Sequence, residues 1–199
     1  FPKNFCLATI CLDAKIISEE KKITIQKSTF QKTESYLFYN VSTPVEIDYK
    51  VPINEVTIYF KPLGIFHFFP DVLMSANSNH IEHFKPFSDY FTELQKILKM
   101  DNKNVQAKAL EVYFLSKFHY KRNEMAQDIL EKIEAGWKVN DVANELNISR
   151  QYLNRIFFRY VGKSPSMYKK IYRFRQIIAS NPANEKFISI SHENLFFDQ

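Results

Sequence analysis

Residues 139–165 read VNDVANELNISRQYLNRIFFRYVGKSP, and the spacing within them decides what kind of molecule this is. Val142, Ala143 and Leu146 recur at helical spacing and predict a short helix. Asn147-Ile148-Ser149 reads as a brief turn, and Ser149 suits the N-cap of a second helix running from about Arg150 to Val161. The two helices must approach closely, and Ala143 supplies the small side chain that this requires.

On a wheel of about 100° per residue, Leu153, Ile156, Phe157 and Tyr160 cluster on one face of the second helix. Gln151, Asn154, Arg155 and Phe158 fall opposite. Arg can bridge guanine O6 and N7, and Asn or Gln can pair with adenine N6 and N7, so this outward face suits the major groove of double-stranded DNA. Gln151, Asn154 and Arg155, in the half nearer the N-terminus, are the candidate base-contacting residues. Arg150, Arg159, Lys163 and Ser164 are the candidate phosphate-contacting residues. Taken alone, a polar outer face is usually just a solvated one. Phe158 also fits poorly there, and touches either a thymine methyl or a neighbouring element.

Charge placement argues for more than solvation. The chain has 199 residues and a net charge of +5. Residues 146–180 hold eight basic groups and no Asp or Glu, so the remainder sums to −3. One compact, acid-free piece is strongly cationic, as a polyanion-binding module would be. Upstream, Met125, Ile129 and Ile133 predict an amphipathic helix stopped near Gly136. Downstream, Pro165 suits the first turn of a helix whose expected apolar stripe is Met167, Ile171, Phe174 and Ile178. Lys169, Lys170, Arg173 and Arg175 decorate the rest of it, and Ser180-Asn181-Pro182 should end it.

Leu153, Arg155, Phe157, Gly162, Ser164, Pro165, Tyr168, Arg173 and Phe174 are spaced without gaps. In this the stretch 139–178 resembles the DNA-binding half of the AraC/XylS family of bacterial transcription regulators. The resemblance implies two helix–turn–helix units joined by a long helix, here about 165–180. FISISHENLFFDQ, residues 187–199, resembles the start of the second unit through Ile190, Phe196, Asp198 and Gln199. Ser191 and Leu195 depart from the family's usual Ala and Gly. The chain is expected to continue beyond Gln199 through the second recognition helix, and to lack a piece before Phe1. The resemblance also implies an N-terminal domain that dimerises, binds a small-molecule effector, or both. Residues 56–64, VTIYFKPLG, are similar to a strand-to-turn motif in one branch of such domains.

The N-terminal residues alternate. Val45, Ile47, Tyr49 and Val51 interleave with Glu46, Asp48 and Lys50; Val56, Ile58 and Phe60 interleave with Thr57, Tyr59 and Lys61. Ile23/Ile25 and the run 35–41 are shorter examples, and residues 18–22 read as a polar hairpin loop. About six half-buried antiparallel strands forming a barrel or sandwich are expected. From about Pro86 the period becomes helical: Phe87, Tyr90, Phe91, Leu94 and Leu98, then Ala107, Leu110 and Tyr113, with Asn104 as an N-cap between. The expected fold class is therefore α+β, divided into a β-rich domain at 1–85, a helical connector at 86–123 and a DNA-binding domain at 124–199.

Other functions find little support. With 3 glycines the chain has no phosphate loop, and it has no nucleophile elbow or paired catalytic carboxylates. His67, His80 and His83 lack the spacing of a barrel metal site. Cys6 and Cys11 lie on one expected strand, on opposite faces and ~17 Å apart if extended, so they cannot bridge each other locally. They read as small buried hydrophobes of a reducing, cytoplasmic compartment. Without an apolar run of 18 residues no membrane span is expected. Neither a cofactor nor a catalytic residue is expected. The alternative to DNA binding is a regulator-derived module whose basic face meets an acidic protein.

Overall fold

A computed structural model describes residues 4–19, 22–30, 32–39, 41, 44–69, 80–120 and 123–180. The tail resemblance at 187–199 lies outside them. The fold is α+β: among the described residues, strands occupy the N-terminal part and the elements from residue 90 on are helices.

Among the described residues seven strands form two sheets. β1 (Cys6–Leu12), β4 (Glu34–Tyr39), β6 (Asn54–Phe60) and β7 (His80–His83) make one, in the order β6-β1-β4-β7. β2 (Ala14–Ser18), β3 (Lys22–Lys27) and β5 (Glu46–Tyr49) make the other, in the order β2-β3-β5. Among the described residues no strand pairing joins them into a closed barrel. Nor is every pair antiparallel: β5 runs parallel to β3, with Ile23 opposite Ile47. The intervening β4 pairs into the four-stranded sheet, so the chain returns to β3 in the same direction. β5 is an edge strand, and its alternation points Ile47 and Tyr49 outward rather than into a core.

Alternation in β1 serves both layers. Cys6, Ala8, Ile10 and Leu12 face one apolar cluster, while Cys11 faces another with Ala14, Ile16, Ile23 and Ile25. Both cysteines are buried and outside any disulfide among the described residues, on opposite sides of the sheet. Asp13, with φ 51°, turns the chain from β1 into β2. Buried Glu34 ties the layers, accepting from Ile16 N at 2.8 Å and pairing with Lys32 at 3.2 Å.

The larger cluster is completed by helices α1 (Tyr90–Leu98) and α2 (Lys103–Ser116). Tyr90, Leu94, Ile97, Leu98 and Tyr113 pack onto the sheet beside Phe60, Phe66, Phe69 and Phe84. The expected connector is thus part of the N-terminal core. The N-cap of α2 is Asn102 rather than Asn104, because the Asn102 carboxamide accepts from Asn104 N and Val105 N. Gln106 is buried on α2 and donates to the end carbonyls of α1, Ile97 O and Leu98 O, each at 3.2 Å. Polar Gln106 therefore holds an inward position where apolar Ala107 was expected, and Ala107 is exposed. None of the described helices is long and apolar enough to cross a membrane.

Four helices follow: α3 (Glu124–Glu134), α4 (Val139–Glu145), α5 (Arg150–Val161) and α6 (Pro165–Ser180). Their shared core comprises Ile129, Leu130, Ile133, Val142, Ala143, Leu153, Phe157 and Tyr168. On α6 the expected stripe is rotated. Tyr168, Ile171 and Ile177 are buried, whereas Met167 and Ile178 are exposed. The buried ring of Tyr168 meets Phe157 edge-on at 5.5 Å and stacks on Tyr172 at 6.0 Å. Aromatic bulk at i and i+4 thus outweighs the methionine and isoleucine in setting the inward face.

Candidate nucleic-acid interface

The geometry starts at the turn between α4 and α5. Asn147 takes the left-handed conformation, φ 51°, which Asn tolerates better than most residues. Ile148 N donates to Ala143 O and Asn147 N to Asn144 O, closing α4 with a Schellman pattern. Ser149 Oγ then accepts from Tyr152 N at 3.1 Å and opens α5. Gly162, at φ 74°, closes α5 by donating to Phe158 O at 2.8 Å. Both ends of the helix are therefore set by short-range hydrogen bonds.

Packing sets its rotation. Leu153 and Phe157 are wholly buried against α3, α4 and α6, with Ile156 packed at the margin. Gln151 and Arg155 are consequently exposed and Asn154 half-buried beside them, so the outward face carries the three expected base-contacting side chains together. Phe158 is half-buried at the edge. Among the described residues no carboxylate pairs with Arg150, Arg155 or Arg159. The first turn of α5 also contains no acid, which leaves the positive end of its dipole uncompensated.

The phosphate candidates divide. Arg150, Arg159 and Ser164 are exposed, although the Ser164 hydroxyl also accepts from Met167 N at 3.2 Å as a cap for α6. Lys163 stands apart: it is only 5 % exposed, and burial holds its ammonium below the usual lysine range. Cys6, at the start of β1, is near enough to act on its charge and partly offsets that effect. Its loop position between two helices looks solvent-facing until the N-terminal part is placed beside it.

That placement is a seam between the strand part and the helical part. Tyr160 of α5 packs into the N-terminal core, its ring 5.1 Å from that of Phe66. Leu63 packs the other way, against the helical core, from a left-handed conformation with φ 65°. Asn4 Nδ2 donates to Tyr168 O at 3.2 Å, and the Arg175 guanidinium lies 4.7 Å from the Phe5 ring. Arg175, one of the eight cations, thus faces the strands.

Two features escape sequence reading. Lys138 and Arg173 lie near Lys169 at the start of α4, and burial, followed by repulsion from Arg173 and Lys138, holds the Lys169 ammonium below the usual lysine range. Lys169 Nζ is held there by Gly136 O and Trp137 O, and Tyr168 Oη donates to Glu134. The second is an aromatic pairing on the outward face: Arg155 Cζ sits 5.1 Å from the Tyr152 ring centroid. Its i, i+3 spacing was legible, but its orientation was not.

Residues 129–168 match the family model described as bacterial regulatory helix-turn-helix proteins, AraC family. No curated protein and no solved structure matches the chain. The matched span covers the second half of α3, all of α4 and α5, and the first turn of α6. It contains the α5 face just described and lends no support to the acidic-protein alternative.

Proposed function

We propose that this chain is a regulator of the AraC helix-turn-helix family, whose model residues 129–168 match, and that α5 reads DNA sequence in the major groove. Gln151, Asn154 and Arg155 would meet base edges, and Arg150, Arg159 and Ser164 would meet phosphate. The observation that carries this reading is one helix face on which hydrogen-bonding side chains stand outward without carboxylate partners among the described residues. Lys163 is left out of the set. Lys138 and Arg173 join it as phosphate contacts flanking the start of α4. We read the protein as a transcription regulator rather than an enzyme, with the unit boundary near residues 119–123.

Selection of duplexes from a random pool by the chain tests this. The expected result is an enriched motif, and Arg155→Ala should cost about 1–3 kcal/mol in binding it while relaxing preference at one base pair. No enrichment, or an unchanged motif with Arg155→Ala, overturns the assignment.

The reading includes control through the N-terminal part, by a small-molecule effector or by pairing with a second copy. The seam supports the former, because Tyr160 and Tyr168 belong to the DNA-reading unit yet touch Phe66 and Asn4. The exposed apolar face of α2 supports the latter: Val105, Val112 and Leu115 all stand in solvent. Val112→Glu combined with Leu115→Glu should halve the sedimentation mass if copies associate there; a monomer before and after mutation removes that route.

A further inference from the structure

We propose that Tyr152 is a specificity-determining residue that acts through Arg155, its ring holding the guanidinium in the orientation that reads a base pair. The inference rests on the reading of Arg155 as a base-contacting group. It concerns what makes that contact selective.

An arginine is a costly reader. Its long side chain loses about 1.5–2 kcal/mol of rotamer freedom when fixed. Most fixed arginines are held by a carboxylate, but Arg155 has none among the described residues. The partner it does have is the Tyr152 ring, 5.1 Å from Cζ. A guanidinium lying over a ring keeps its N–H edge free, and that planar edge is what pairs with O6 and N7 of guanine.

Tyr152 is itself well placed to hold still. Its backbone N–H is bonded to the Ser149 hydroxyl at 3.1 Å, so it sits in the capped first turn of α5. The ring is 38 % exposed and belongs to none of the three apolar clusters. Its hydroxyl has no hydrogen-bond partner among the described residues. The helix's other arginine–tyrosine pair differs: Arg159 lies 5.9 Å from Tyr160, whose ring is committed to Phe66. Packing accounts for Tyr160 and does not account for Tyr152.

The test uses the whole chain, its selected duplex, and duplexes altered at the base pair that Arg155→Ala relaxes. Tyr152→Phe keeps the π face and should keep discrimination. Tyr152→Leu keeps bulk without the π face and, like Tyr152→Ala, should lower discrimination about threefold to tenfold. Affinity for an unrelated duplex should stay the same. In the Arg155→Ala background, Tyr152→Ala should add nothing at that base pair. Wild-type discrimination in Tyr152→Leu overturns the proposal, as does a loss spread evenly over all sequences or an effect additive with Arg155→Ala. If Arg155→Ala itself leaves the motif intact, the base-contact reading fails in that arm alone and takes this proposal with it.

Discussion

Arg159 and Lys163 lie four residues apart, carry the same charge, and meet opposite fates. Arg159 is exposed at the end of α5, whereas Lys163 is buried. Arg159→Ala should therefore flatten the slope of log affinity against log salt by about 0.9. Lys163→Met should leave that slope unaltered and should raise the urea midpoint at neutral pH. The sign follows from burial, which lowers the Lys163 pKa in the folded chain. Its charged form is then less favourable folded than unfolded, so the cost is fully present below the depressed pKa. It fades as pH climbs through the ordinary lysine value of about 10.4, and the advantage of methionine should narrow over that window. A flattened salt slope for Lys163→Met would show that this lysine leaves its burial site to meet phosphate.

Among elements, α5 is specified twice over. Its ends come from Ser149 and Gly162, and its rotation comes from Leu153 and Phe157. Ser149→Ala should cost about 1 kcal/mol of unfolding free energy by urea titration, because Tyr152 N loses its acceptor. An unchanged midpoint would mean that solvent caps the helix equally well. In α6 the buried face is set by Tyr168, Ile171 and Ile177, so Met167 and Ile178 of the expected stripe fall outside it. Tyr168 satisfies its hydroxyl on Glu134 and buries the rest. A tyrosine with a partner behaves as core.

In the whole molecule the strands do not sit apart from helices α3 to α6. Tyr160 and Leu63 are exchanged across the seam, each packing in the other's core. A double-mutant cycle of Phe66→Ala and Tyr160→Ala should give a coupling of about 0.5–1.5 kcal/mol in urea unfolding. Additivity would mean that the two halves unfold independently. The recognition face lies clear of this seam, since Gln151 and Arg155 remain exposed while Arg175 is turned toward Phe5. Docking therefore withholds cations without hiding Gln151 and Arg155.

The sequence by itself determined the α4–turn–α5 unit, because short-range forces set it. These are a cap hydroxyl, an asparagine that accepts a left-handed turn, a terminal glycine, and apolar residues at helical spacing. It also determined the β-strand character of the N-terminal part and the opposite faces of Cys6 and Cys11, since alternation has a strict period of two. The tertiary structure alone decided the parallel β3–β5 pairing, the open two-sheet arrangement, the inward face of α6 and the burial of Lys163. Each depends on which surface another segment covers. Asn4 meets Tyr168 of α6 from 164 residues away and Phe66 meets Tyr160 of α5 from 94, and no local pattern around Lys163 records their arrival.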